Sequence, residues 1–216
     1  MTTVVESGMT FGPYPKGTCF VIENSGIHKS AGEGVKIVEF VKLHSRREKP
    51  PLLWLVEAKK SSPKANHEFE EFLERMKQDG YGRFPGHNQS VDEFIDHARN
   101  ERLSAFGSVS NDFEDYFSDI RDKMENALNL YFSCMLKRHV AADDDWPQTF
   151  RDLDLSTIGF RLFLVVKLAK DTWLPPLSEK FKKVLNPLVK TWGLGATSVE
   201  VLTEAGARKH GLISGS

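Results

Sequence analysis

Cysteine is scarce in this 216-residue chain: there are two, Cys19 and Cys134. That is too few for a disulfide framework, and their separation makes no spaced metal motif; such usage fits a reducing, cytoplasmic setting. Long apolar runs are also missing. The longest, Leu52 to Val56 and Leu162 to Val166, are far too short to cross a bilayer, so no membrane partner is expected. The start, Met1 to Glu6, has no basic segment followed by an apolar core, so a secretory signal is not expected. The seven histidines form no close pair with one another or with cysteine, which argues against zinc. No G-x-x-x-x-G-K-[ST] loop and no G-x-S-x-G elbow occurs, which leaves P-loop nucleotide hydrolysis and serine-hydrolase chemistry without support. The net charge of −1 gives no general argument for a polyanionic partner.

What is present describes an ordinary globular chain, with 40% hydrophobic and 27% charged residues. The length suits a single domain over residues 1–216, with residues 66–150 a mainly helical insertion. Charge is unevenly spread. Residues 61–150 carry eighteen Asp/Glu against ten Lys/Arg, whereas residues 1–60 carry six against nine and residues 151–216 carry six against ten. If the ends fold together, one side of the molecule is positive and the other negative.

The first 60 residues read as β. A turn-rich entry at Gly12 to Gly17 precedes three expected strands: Cys19 to Glu23, Lys36 to Val41, and a run ending at Lys59. The connections are a glycine-containing loop from Gly26 to Gly34 and a charged turn from Ser45 to Pro50, a pattern that predicts an antiparallel meander. Helical spacing follows over His67 to Asp79 and over Val91 to Leu103, the second opened by the capping-box pair Ser90 and Glu93. The longest expected helix runs from about Asp112 to Arg138, with Phe113, Phe117, Ile120, Met124, Leu128, Tyr131 and Met135 in one apolar stripe. Ala141 to Pro147 reads as an acidic loop. Phe160 to Lys167 reads as a strand covered on both faces. A helix is expected from Pro175 to Leu185 or Trp192, then a strand over Ser198 to Leu202 and a short helical tail over Thr203 to His210. The fold class is therefore α/β: a central mixed β-sheet with an antiparallel three-strand start, flanking helices and a long helical insertion.

The segment richest in chemistry is Glu57-Ala58-Lys59 at the end of the apolar run. Residues i and i+2 of a strand share a face, so a carboxylate and an amine stand side by side there. Glu39 interrupts the preceding strand-like run. Neighbouring strands are ~4.8 Å apart, so Glu39 and Glu57 can touch one ion if the register sets them opposite each other. Glu23 is a candidate third ligand if the first strand lies beside the second. Carboxylates on adjacent strands suit Mg²⁺, and a lysine beside them can orient water or neutralise developing charge. The plain alternative is an exposed strand face with cross-strand Glu–Lys pairs.

Taken together, the segments from Phe20 to Ser25, Val35 to Phe40 and Leu55 to Pro63 resemble the active-site core of the PD-(D/E)xK nuclease superfamily, the restriction-endonuclease-like fold. The resemblance implies a mixed sheet with flanking helices and a metal-dependent nuclease acting on nucleic acid, DNA above RNA. It matches Glu39 to the first acid, where the superfamily usually has aspartate, and Glu57 and Lys59 to the second acid and the lysine. Glu39, Glu57 and Lys59 are then the expected catalytic residues. Glu23, Glu39 and Glu57 are the expected ligands of Mg²⁺, or of Mn²⁺ in its place. A homodimer is expected by analogy with enzymes of this fold. The rival reading is a catalytically inactive protein of the same fold that acts as a protein-interaction module through its acidic helical middle. Two further features stay open between binding and ordinary packing: the tryptophans Trp54, Trp146, Trp173 and Trp192, and the lysines Lys180, Lys182, Lys183 and Lys190.

Overall fold

Short β-rich segments build two sheets, and the computed structural model describes them within residues 1–23, 25–32, 34–62, 106–139, 146–169 and 174–214. The expected helices over residues 67–79 and 91–103 and most of the acidic loop over 141–147 lie outside the described residues.

The chain opens on a hairpin that the sequence reading did not contain. Strands β1 (Thr2–Glu6) and β2 (Met9–Tyr14) pair antiparallel through Ser7 and Gly8. Both turn residues have positive φ, 51° and 72°, as a two-residue hairpin turn with the twist of its strands requires. The expected turn-rich entry at Gly12 begins inside β2. Gly12 has φ +88°, and a Cβ there would stand 2.8 Å from the Thr2 carbonyl oxygen, so glycine is needed to let the two backbones approach.

The central sheet is five-stranded, with β3 (Cys19–Val21), β4 (Phe40–Arg46), β5 (Lys49–Lys59), β6 (Gly159–Val166) and β7 (Val199–Thr203) as neighbours in that order. β3, β4 and β5 pair antiparallel, giving the expected meander, and β6 and β7 join in parallel, making the sheet mixed. Two expectations about its edges need correction. The second strand begins at Phe40 rather than Lys36, and Glu39 sits at a bend just before it; Ile37 and Val38 are apolar because they are buried in the core, not because they belong to a ladder. The first strand ends at Val21, so Glu23 lies in the turn after it. The predicted loop after Gly26 contains a short helix, α1 (Gly26–Ser30), whose first turn is capped by the Ser25 hydroxyl accepting from the His28 N–H. Glycine at its start hides it from a propensity reading.

Helices cover one face of the sheet. α2 (Phe106–Met135) is the long helix, beginning before the expected Asp112 and ending before Arg138. Its stripe is buried at Phe117, Ile120, Met124, Leu128 and Tyr131, in one core with Leu53 and Leu55 of β5 and Leu162 and Leu164 of β6. A single turn, α3 (Gln148–Arg151), and the helix α4 (Leu174–Thr191) add Phe150, Leu177, Phe181 and Leu185 to that core. Pro187 lies inside α4. The opposite face carries a second core, in which Val4, Met9 and Phe11 of the hairpin and Ala207 of α5 (Glu204–Lys209) pack on Trp54, Val56, Phe163 and Val165. β5 and β6 thus send alternate side chains into two separate cores, which is why their sequences are nearly continuous in apolar residues. Among the described residues no helix is long and apolar enough to cross a membrane.

Candidate functional site

The end of β5 brings the expected residues to one place. The β4–β5 register pairs Phe40 with Val56 and Val41 with Leu55. Continued by one residue, it sets Glu39 against Glu57. Residues directly opposite share a face, and Leu53, Leu55 and Val41 show that this face is the one covered by α2. Glu39 and Glu57 are both buried, Glu57 completely. Lys59 follows on the same face, and its Nζ lies 3.0 Å from Glu57 Oε1.

Helix α2 supplies two residues that the sequence reading missed. Lys123 Nζ stands 2.8 Å from Glu57 Oε1 and 3.6 Å from Glu39 Oε1. Asp119, one turn earlier, lies 3.4 Å from Lys59 Nζ through Oδ2 and 2.7 Å from Lys36 Nζ through Oδ1. Their signal was available. The i, i+4 pair Asp119 and Lys123 flanks the buried Ile120 and Met124, so it marks the polar border of the stripe nearest the sheet.

A carboxylate trio lies beside this network. Ligand oxygens of Glu6, Glu23 and Glu39 all fall within 4.8 Å of one another. The Glu23 N–H donates to the Glu39 carbonyl oxygen at 3.4 Å, which holds the turn after β3 against the start of β4. Glu6 arrives from the hairpin, whose turn is fixed by Ser7 Oγ donating to the Ala58 carbonyl oxygen at 2.9 Å and by Lys167 Nζ donating to that of Gly8 at 2.5 Å. No pattern around Glu6 distinguishes it in the sequence. Of the three expected ligands, Glu23 and Glu39 are in this trio and Glu57 is not; its Oε1 is occupied by Lys59 and Lys123.

The electrostatics follow from burial. Desolvation pushes the Glu39 carboxyl up to about 9, reinforced by a hydrogen bond with Glu23 and the charge of Glu57 and opposed by Lys123. Desolvation also raises Glu57, while Lys59 and Lys123 pull it back. Burial would lower Lys123, but the Glu57 charge and hydrogen bond, with the charges of Glu39 and Glu23, together outweigh it and the net shift is upward. Burial would raise Asp119; its hydrogen bond with Lys36 and the surrounding lysine charges bring it below its ordinary value. Glu57 Oε2 is buried and accepts no hydrogen bond among the described residues.

These donors suit a hard divalent cation. Mg²⁺ takes carboxylate oxygens, and the site offers converging carboxylates, one of them raised by burial, together with a buried oxygen that accepts no hydrogen bond among the described residues. The other sequence candidates fall elsewhere. Trp54 and Trp146 are core residues, Trp192 stacks on Phe132 at 4.2 Å, and Trp173 is outside the described residues. Lys180 is buried against Glu114 at 2.5 Å. No family model matches the chain, and neither a curated protein nor a solved structure matches it.

The Glu39 shift has a sign that can be measured. An unfolded chain loses this proton near the ordinary carboxylate value, whereas the folded chain keeps it to about 9. Between these limits the unfolded state binds fewer protons, so this group makes stability fall as pH rises. Glu39→Gln fixes a neutral side chain of similar shape. Without divalent ions, thermal melts at about pH 8.5 are expected to place the variant roughly 4 °C or more above wild type. The two should converge below about pH 4. An equal gap at both pH values would assign the effect to packing.

Proposed function

We propose that the chain is a metal-dependent nuclease of the restriction-endonuclease-like fold that hydrolyses phosphodiester bonds in nucleic acid, DNA in the first instance. The observation that carries this reading is the meeting of Glu39, Glu57 and Lys59 on one sheet face, with Glu6 and Glu23 closing on Glu39. The antiparallel β3-β4-β5 start, continued by parallel β6 and β7, supports the fold assignment. The sites of open α/β sheets lie outside the carboxyl ends of strands, where β5 delivers Glu57 and Lys59.

Glu6, Glu23 and Glu39 would hold Mg²⁺, with Glu57 Oε2 available from the neighbouring strand. When bound, Mg²⁺ supplies a Lewis acid that draws charge from a phosphate oxygen and acidifies water. The chain's own residues do the rest. Glu57 fixes the Lys59 ammonium from one side and Asp119 from the other, so the amine is held in place before substrate arrives. A positioned ammonium orients the attacking water and lies near the charge that develops on the phosphate. Burial of both glutamates removes competing water and strengthens each of these contacts.

The test is direct. Purified chain, incubated with double- and single-stranded DNA and with RNA, is expected to cleave at least one of them in Mg²⁺ or Mn²⁺ and to stop in EDTA. No cleavage of any form with either ion would reject the nuclease reading and leave the fold as a protein-interaction module.

A further inference from the structure

The gap between Glu39 and Glu57 already holds a cation. Lys123 reaches across from α2 with its Nζ 2.8 Å from one carboxylate and 3.6 Å from the other, and its side chain is only 13% exposed. The helix cannot drift away from this contact, because Ile120, Met124 and Ala127 are fully buried around it. A divalent ion held by Glu39 and reaching Glu57 as well would stand beside this ammonium, and two like charges would compete for the same pair of carboxylates.

Resting on the metal-site reading above, we propose that Lys123 is the resident cation of the Glu39–Glu57 gap and that a divalent ion bridging these carboxylates binds by displacing its ammonium. Without the ion, the ammonium pairs with the buried Glu57 and lies beside Glu39, so the gap is not left without a positive charge. The flexible four-carbon stem gives it somewhere to go. Asp119 lies one turn back on the same helix, and its carboxylate already feels the Lys123 charge. Lys59 keeps its hold on Glu57 from the strand side, so the carboxylate stays in position during the exchange. Lys123 is thus a positioning residue: it sets how tightly and how selectively the gap accepts an ion, without touching substrate.

Calorimetric titration of the full chain with MnCl₂ tests this with wild type, Lys123→Met and Lys36→Met. Lys36 is a control of equal charge that sits on Asp119, outside the gap. Lys123→Met is expected to bind Mn²⁺ about tenfold or more tighter than wild type, and Lys36→Met to stay within about threefold. Unchanged or weaker binding in Lys123→Met overturns the proposal, as does an absence of binding in every form or an equal gain in Lys36→Met. A second measurement needs no substitution and decides the matter if Lys123→Met does not fold. Nitrogen NMR of the lysine ammonium groups should show slow hydrogen exchange at Lys123 without ion and fast exchange in saturating Mg²⁺. Exchange that ignores Mg²⁺ overturns the proposal. Tighter binding in Lys123→Met with no cleavage by any form keeps the displacement and ends the nuclease reading. Cleavage with unaltered ion affinity does the reverse.

Discussion

Glu57→Gln is expected to lower Mg²⁺-dependent cleavage by about 10³-fold or more while the chain stays folded. The substitution keeps the volume of a fully buried side chain, so the packing of β5 under α2 is preserved. What disappears is the anion. One oxygen, Glu57 Oε1, receives both Lys59 at 3.0 Å and Lys123 at 2.8 Å. With an amide there, Asp119 at 3.4 Å is the one charged partner left to Lys59 at the site among the described residues, and the unpartnered Oε2 no longer belongs to a carboxylate. Loss of Lys59 placement and of a hard ligand atom would act on the same step. The measurement is initial-rate cleavage of a labelled oligonucleotide beside a circular dichroism spectrum. Wild-type rates in Glu57→Gln would remove this residue from the chemistry and take the central support from the proposed function.

The second large effect is on stability. Phe117→Ala is expected to destabilise the chain by about 3–5 kcal/mol. Phe117 is fully buried in the core that joins α2 to the sheet. Its ring lies 6.4 Å from that of Phe181 on α4 and 5.3 Å from that of Tyr116. Truncation leaves a ring-sized void between two helices, which close packing cannot fill without moving one of them. Because Asp119 and Lys123 lie just beyond Phe117 on α2, the same void loosens their placement over Glu57. Urea unfolding reads the effect as a lower midpoint with an unchanged slope. A loss under about 1 kcal/mol would mean that α2 is not seated on the sheet through this residue.

The class of the fold was legible because two signals are strong. The nearly continuous apolar runs toward Lys59 and Val166 and the three-four spacing from Phe117 to Tyr131 each bury a continuous surface, and a surface of that size leaves its mark in composition. The hairpin of β1 and β2 was not legible. Its strands are short, and its turn is Ser7-Gly8, a weaker signal than Asn-Gly. Glu39 was placed within a strand because Ile37 and Val38 are apolar, yet they are buried without ladder pairing; hydrophobicity reports burial, not hydrogen bonding. The site divides in the same way. Glu57 and Lys59 are neighbours in sequence and remain neighbours in space, so spacing alone located them. Glu6, Asp119 and Lys123 come from elements that meet the sheet only through tertiary packing. Nothing local sets Glu6 apart from any other acidic residue after a short apolar run.

The parallel pairing of β5 with β6 carries a cost during synthesis. Residues about 100 positions apart must find one another, since Lys59 pairs with Val166 and Leu52 with Gly159, and such long closures come late in folding. The β3-β4-β5 meander is local, so its pairing closes much shorter loops. Until β6 arrives, β5 is an open edge of eleven residues with a row of unpaired peptide groups beside Leu52 to Val56. That is the geometry by which one nascent chain adds to another. Crowding during expression should therefore act on this edge before any centre exists to do chemistry, and yield will depend on how quickly the second half of the chain covers it.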